Sequence, residues 1–202
     1  MKMSKTIVTL IIIALVVVIG VVGGVKAYNS MVNADENVQK AWAQVENVYQ
    51  RRADLIPNLV NVVKGAADFE RQTLTDVIEA RASATSVKID PTNLTENNIA
   101  AFQEAQGQLS SALSRLLVSV ERYPELKANQ NFLELQTQLE GTENRITVER
   151  QKFNEIVQGY NSMIRRFPRN ILAGMFGFEK KGYFTAQPGA DKAPEVSFDF
   201  GS

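Results

Sequence analysis

The chain reads as an all-α protein, an N-terminal transmembrane helix followed by a long helical bundle, and three observations lead there. Residues 7–25, IVTLIIIALVVVIGVVGGV, carry no charge, and Thr9 is their only polar side chain. From Tyr28 to Phe167 apolar residues recur at alternating spacings of three and four, the period of a helix that buries one stripe. Alternation with period two, the mark of a strand, is absent before the C-terminal tail.

The apolar run comes first in the chain. As a helix, its 19 residues span about 28 Å, close to the hydrocarbon thickness of a bilayer. A cleaved signal peptide is the competing reading, with Lys2 and Lys5 as its basic region and Val25-Lys26-Ala27 as a cleavage site. Signal cores usually run about 7 to 15 apolar residues, so the length favours an uncleaved anchor over 7–25, behind a short tail over 1–6. Lys2 and Lys5 stand before the span, Lys26 and Lys40 after it. With the α-amino group added, the positive-inside bias places the N-terminus in the cytoplasm and the bundle outside. The chain has no Cys, which removes lipidated cysteine, disulfides and thiol chemistry.

The charge balance bears on partners. The only charges in residues 1–26 are three lysines, so the rest carries 22 less 3, or 19, basic side chains against 22 acidic ones. A mildly acidic surface of mixed sign lacks the basic face that displaces counterions from a phosphate backbone, and nucleic acid is not an expected partner. No Gly/Ser linker or Pro-rich hinge divides the chain, so one domain is expected.

The last helical segment shows its seam best: Phe132, Leu135, Leu139, Thr142, Ile146, Phe153, Ile156, Tyr160, Met163 and Phe167, with Glu149 interrupting. The middle segment repeats it through Ile99, Phe102, Leu109, Leu113, Leu116, Val120 and Tyr123. Seams of this kind pack long helices side by side. Asp90-Pro91-Thr92-Asn93 is a turn, Tyr123-Pro124 ends the middle helix, and the last helix is expected from near Lys127 to Arg166, before Phe167-Pro168. The first segment keeps one phase from Met31 through Trp42, Tyr49, Ile56, Val63 and Phe69 to Val77, although Pro57 and Gly65 lie within it. Pro57 must kink the helix or end it. One continuous kinked helix gives three bundle helices and leaves Phe167 far from the membrane, whereas a fold-back near Pro57 or Gly65 gives four and returns it.

Several of these motifs stand in a known order. Tyr28-Asn29, Ala41-Trp42-Ala43-Gln44-Val45-Glu46, the run from Arg51-Arg52-Ala53 through Pro57 to Val60, Tyr123-Pro124-Glu125-Leu126-Lys127-Ala128-Asn129 and Thr142-Glu143-Asn144-Arg145-Ile146 resemble the LemA family of bacterial membrane proteins. Phe153-Asn154, Tyr160-Asn161, Phe167-Pro168 and Gly177-Phe178 through Tyr183-Phe184 continue the likeness, which covers nearly all of residues 28 to 200. The resemblance implies a single-pass anchor in the bacterial cytoplasmic (inner) membrane and an antiparallel, up-and-down four-helix bundle over 28–167. A C-terminal strap and partly flexible tail over 168–202 complete the expected layout. No reaction is implied. Ala67 and Asp68 depart from the family, whose members often carry an aromatic and a histidine there.

Catalytic chemistry finds little material. The chain contains no His, which excludes Ser-His-Asp and Cys-His systems, H-E-x-x-H zinc sites and the Glu-x-x-His pairs of di-iron bundles. No Walker A loop or dinucleotide fingerprint is present, and neither a cofactor nor a metal is expected. Carboxylates at helical spacing, such as Glu121 with Glu125, arise by chance among 22 acidic residues.

Two constellations stand out instead. Arg52 occupies the seam between Tyr49 and Ile56, Asp54, Asn58 and Asn61 surround Pro57, and Glu143, Asn144 and Arg145 interrupt the last helix. Arg52, Asp54, Asn58, Glu143 and Arg145 are therefore candidates for a polar layer at the kink, with Arg52 paired to an acid such as Glu143. Such a layer serves as a register device or as a binding site, and the register reading is favoured. After the bundle, Arg165, Arg166, Phe167, Arg169, Phe176, Phe178, Lys180 and Lys181 mix basic and aromatic side chains, as segments at a lipid headgroup surface do. The alternative is a strap covering one end of the bundle. The tail from Ala186 to Ser202 ends in alternating apolar and polar residues, suited to an extended peptide or to folding back on its own domain.

The expected function is a membrane-anchored, non-enzymatic helical scaffold or assembly protein of the bacterial cell envelope. Its expected partners are the lipid bilayer and a membrane or envelope protein. An envelope hydrolase using carboxylates on the bundle is the alternative, and it requires a cleft with converging acids.

Overall fold

A computed structural model of the chain describes residues 5–65 and 69–185. It consists of α1 (Lys5–Lys64), α2 (Arg71–Ser86), α3 (Glu96–Val120), α4 (Pro124–Lys127), α5 (Gln130–Arg165) and α6 (Arg169–Phe176), with no strand among the described residues. The expectations for the N-terminal residues before Lys5, for Ala66, Ala67 and Asp68, and for the tail from Ala186 lie outside them.

The apolar run and the start of the packed body form one helix. α1 has 60 residues, about 90 Å at helical rise. Its apolar window has a mean hydropathy of 3.1 and buries nothing against the rest of the chain, whereas Met31, Val38, Trp42 and Val45 further along are fully buried. The helix passes through Pro57. Proline has no N–H to give to the carbonyl four residues earlier, and that Ala53 oxygen instead accepts a hydrogen bond of 2.7 Å from Nε of Arg81 on α2. The turn left open between Pro57 and Gly65 falls at Gly65, whose N–H reaches the Val62 carbonyl.

Local chemistry places the later ends. Asp90 accepts from the N–H and hydroxyl of Thr92, and Thr95 caps α3 by accepting from Asn98 N–H, so the chain turns and restarts there. Pro124 opens the single turn α4, and Asn129 caps α5 by accepting from the N–H groups of Asn131 and Phe132. The last long helix therefore begins at Gln130 rather than near Lys127.

α5 lies along α1, and α2 lies along α3. Phe153, Val157, Tyr160 and Ile164 form the buried face of α5. Val157 takes the place expected for Ile156, because a straight helix takes slightly more residues per turn than a strict 3.5-residue period, so its buried stripe drifts to later positions. Phe167 is 80% exposed, since the helix ends at Arg165 and the seam ends with it. The core forms two apolar clusters, one around Trp42, Phe102 and Phe153, the other around Leu59, Leu109 and Leu116.

After α6, Gly177 adopts φ 74° and stops the helix, a conformation that suits glycine. Residues 178–185 then run as a non-helical strap over the ends and faces of α3 and α5. Phe184 stacks on Trp42 and meets Phe102 and Phe153 edge-on. Gly182 N–H bonds the Leu94 carbonyl at 2.8 Å, and a Cβ at Gly182 would stand 2.7 Å from Glu96 Cα. Only glycine lets the strap cross so close to the start of α3.

Candidate functional site

Between the two apolar clusters lies a polar layer centred on Arg52. Its side chain is 1% exposed. Nη1 donates to Glu143 Oε1 at 2.6 Å and to Ser110 Oγ at 2.8 Å, and Nη2 donates to the side-chain and backbone oxygens of Gln106. Gln106 Nε2 in turn donates to the Ala84 carbonyl. Residues from α1, α2, α3 and α5 thus meet in one network. The Tyr49 ring lies 5.1 Å from the guanidinium carbon. Burial pushes the Tyr49 phenol above its ordinary pKa, against the opposing effect of the Arg150 and Arg52 cations.

Of the five residues expected in this layer, the structure brings Arg52 and Glu143 together. Asp54 is exposed and accepts from Gln50 one turn earlier, while Asn58 and Arg145 are exposed elsewhere. Gln106 and Ser110 belong to the layer and were not singled out from the sequence. The step from Phe102 to Leu109 skips a full heptad and passes Gln106 where an apolar side chain belongs, which is the signal that would have found it.

Outside this layer α3 and α5 stand apart. The gap between them is a cleft of about 700 Å³ with Arg52 and Glu143 on its floor, lined by Gln103, Gly107 and Ser114 from α3 and by Gln136, Glu140, Asn144, Thr147 and Arg150 from α5. Leu113, Leu139 and Ile146 add a buried apolar part. Glu143 is held as the counter-ion of Arg52, and the Ser110 hydroxyl bonds the Gln106 carbonyl, so neither is presented as a proton carrier or an activated nucleophile. No group of three or more His, Cys, Asp or Glu suited to a metal ion occurs among the described residues.

The second constellation lies where α6 meets the base of the body. The Tyr28 ring contacts Phe176 at 4.9 Å and Phe178 at 5.7 Å, three residues, or about 4.5 Å of helix, beyond Val25. Phe167, Ile171 and Met175 are 80%, 55% and 71% exposed, and a spacing of four puts Ile171 and Met175 on one side of α6. Arg165, Arg166 and Lys180 are exposed beside them, and Arg169 is half-buried. Lys181 turns inward. Its ammonium is 3.0 Å from Asp35, donates to the Thr92 carbonyl and lies over the Tyr160 ring. Burial and the neighbouring Asp35 carboxylate push the Tyr160 phenol well above its ordinary pKa.

A model of the LemA family matches residues 41–198. Magnetosome protein MamQ 2 of Paramagnetospirillum magneticum is 28% identical over 181 residues, covering 81% of this chain and 66% of its own length. Magnetosome protein MamQ of Magnetospirillum gryphiswaldense matches with the same identity and coverage. Protein LemA of Metamycoplasma hominis is 24% identical over 145 residues, 72% of this chain and 63% of its own. The chain therefore spans just under two thirds of the length of these relatives. With the family model matching well over half of its residues, the chain belongs to the LemA family.

Proposed function

We propose that this chain is a membrane-anchored, non-enzymatic scaffold or assembly protein of the bacterial envelope, crossing the inner membrane once through residues 7–25. The observation that carries this reading is the continuity of α1 from the apolar run into the packed body. A body joined to its anchor by unbroken helix holds a set direction relative to the bilayer, as a scaffold requires. None of the relatives reported above bears an enzyme's name, which supports the non-catalytic part.

In this reading residues 28–167 form an antiparallel, up-and-down four-helix bundle of α1, α2, α3 and α5, with 168–202 as strap and tail. The pairs Ser30 with Met163, Trp42 with Phe153 and Arg52 with Glu143 ascend on α1 while they descend on α5. Asp76 with Arg115 and Ala84 with Gln106 do the same on α2 and α3. That parity supports a second contact with the lipid surface, in which Phe167, Ile171 and Met175 enter the headgroup level while Arg165, Arg166, Arg169 and Lys180 face anionic lipid. Phe176 and Phe178 pack on Tyr28 beneath them. The lysines around the span support a cytoplasmic N-terminus and an extracytoplasmic bundle. A membrane or envelope protein is the proposed client.

The test places a fluorophore on single cysteines at positions 167 and 125 of the full chain in nanodiscs containing a bilayer-embedded quencher. Quenching at 167 and none at 125 is expected. Equal signals at both positions overturn the reading.

A further inference from the structure

The strap shows what kind of segment α3 and α5 hold between them. Asn161 accepts from the N–H of Lys181 and donates to its carbonyl, Asn154 does the same for Phe184, and Gln103 for Thr185. Each side-chain amide thus pairs with a backbone amide as a neighbouring strand would, whatever side chain that residue carries. Burial alternates along the strap, with Gly182 and Phe184 buried, Tyr183 and Thr185 exposed. The Thr185 carbonyl accepts from Gln103 on α3 and from Arg150 on α5, both at 2.9 Å. At that point the gap between the helices is one backbone wide. Gln103 and Arg150 also line the open cleft, so the groove that holds the strap continues into it.

We infer that this cleft receives an extended, uncharged segment of a partner polypeptide, with apolar side chains at alternate positions. The inference rests on the scaffold reading and names how the client is held. A single extended chain enters a gap of that width, whereas a helix, about 10–12 Å across with its side chains, does not. The cleft follows α3 from Gln103 to Leu117, about 21 Å of helix, which about six or seven extended residues at about 3.3 Å each cover. Leu113, Leu139 and Ile146 give the alternate side chains an apolar surface. Gln136 and Asn144 on α5 bring to the cleft the amide chemistry by which Asn154 and Asn161 hold the strap. Arg52, which also lines the cleft, has its Nε buried without a hydrogen-bond partner among the described residues, and a backbone carbonyl is the acceptor such a donor needs. Arg52 and Arg150 balance Glu140 and Glu143 in the lining, so a charged segment finds no net counter-charge to offset its desolvation.

The probe is an acetylated heptapeptide amide in which Val and Phe alternate with Ser and Thr, and calorimetry reads its binding to the full chain in nanodiscs against empty nanodiscs. Saturable binding to the chain is expected. Methylating the peptide's backbone nitrogens should weaken it about tenfold or more, because the lining amides then lose their donors. Gly107→Trp should weaken it as much: a Cβ there meets nothing within 4 Å, so the indole occupies open space and the helix content stays unchanged. Gln136→Leu with Asn144→Leu, which keeps side-chain size and removes the amides, should weaken it too. Absence of binding, equal binding of the methylated peptide, or binding that none of these variants weakens overturns the proposal. Binding that appears only after Val196, Phe198 and Phe200 are replaced by Asp assigns the cleft to this chain's own C-terminal segment, and binding that appears only on dilution of the chain assigns it to a second copy. Either result overturns the proposal equally. Quenching at position 167, which tests the scaffold reading, does not depend on the cleft, so the two fail separately.

Discussion

Removing the more exposed partner of the Arg52–Glu143 pair should cost more stability than removing the buried one. Arg52 is 1% exposed and Glu143 45%. Arg52→Met keeps most of the aliphatic volume and deletes the charge. It leaves Gln106 Oε1 buried without its donor, a cost of about 1–3 kcal/mol, while Glu143 is free to hydrate. Glu143→Ala leaves the guanidinium buried with only the neutral oxygens of Gln106 and Ser110 and the Tyr49 ring around it. Breaking a buried pair in this way costs about 3–5 kcal/mol. The double variant should fall close to Arg52→Met alone, because without the cation the carboxylate has little left to stabilise. The assay is urea unfolding of the four chains in detergent micelles, followed by helicity. The reasoning is refuted if Arg52→Met costs as much as Glu143→Ala, or if the two costs simply add.

Three further outcomes follow from the geometry. Arg81→Met should destabilise by about 1–3 kcal/mol, because the Ala53 carbonyl loses its donor. Pro57→Ala should recover part of that loss by restoring a helical N–H to the same oxygen, as a denaturation cycle on the pair will read. Gly182→Ala should cost about 1–3 kcal/mol, since the new methyl meets the backbone of Glu96. Hydrogen exchange at the Lys181 and Phe184 amides should then accelerate, and the fluorescence of Trp42, the chain's one tryptophan, should change as Phe184 moves off it. In alkaline titration followed by tyrosinate absorbance, Tyr49 and Tyr160 should ionise above the ordinary range of a phenol. Both phenols have a raised folded pKa, so the unfolded chain loses those protons first. Their contribution to stability is complete below pH of about 10 and declines as pH rises beyond it. Titration of both within the ordinary range of a phenol would count against the packing around them.

Some of this architecture is written in the order of the residues. The apolar run from Ile7 to Val25, the seams of three and four, the capping residues Thr95 and Asn129, and the turn at Asp90-Pro91 are local signals, each read from a few neighbours. Arg52 and Glu143 were legible for the same reason, as charges standing in apolar stripes. Gln106 was less so, because a single uncharged amide disturbs a seam only slightly. Asn161, Asn154 and Gln103, whose side-chain amides hold the backbones of Lys181, Phe184 and Thr185, were not legible in that role at all. They stand among the many polar side chains of half-buried helix faces, and nothing in their spacing tells them from solvated ones.

The rest was decided only when distant segments met. Whether α1 ends at Pro57 depended on Arg81, 24 residues later in the chain, because a donor from another helix satisfies the carbonyl that proline leaves free. Lys181 reads as one more cation beside a membrane, and only the approach of Asp35 and Thr92 turns it inward. By itself the sequence determined that the chain is helical, begins with an apolar helix long enough to cross a bilayer, and is without histidine or cysteine chemistry, since periodicity, hydropathy and composition are properties of neighbours. The joining of four helices by a buried arginine, and the course of the strap to the mouth of a cleft, required the tertiary structure. Both depend on partners far apart in the chain, whose pairing no local pattern specifies.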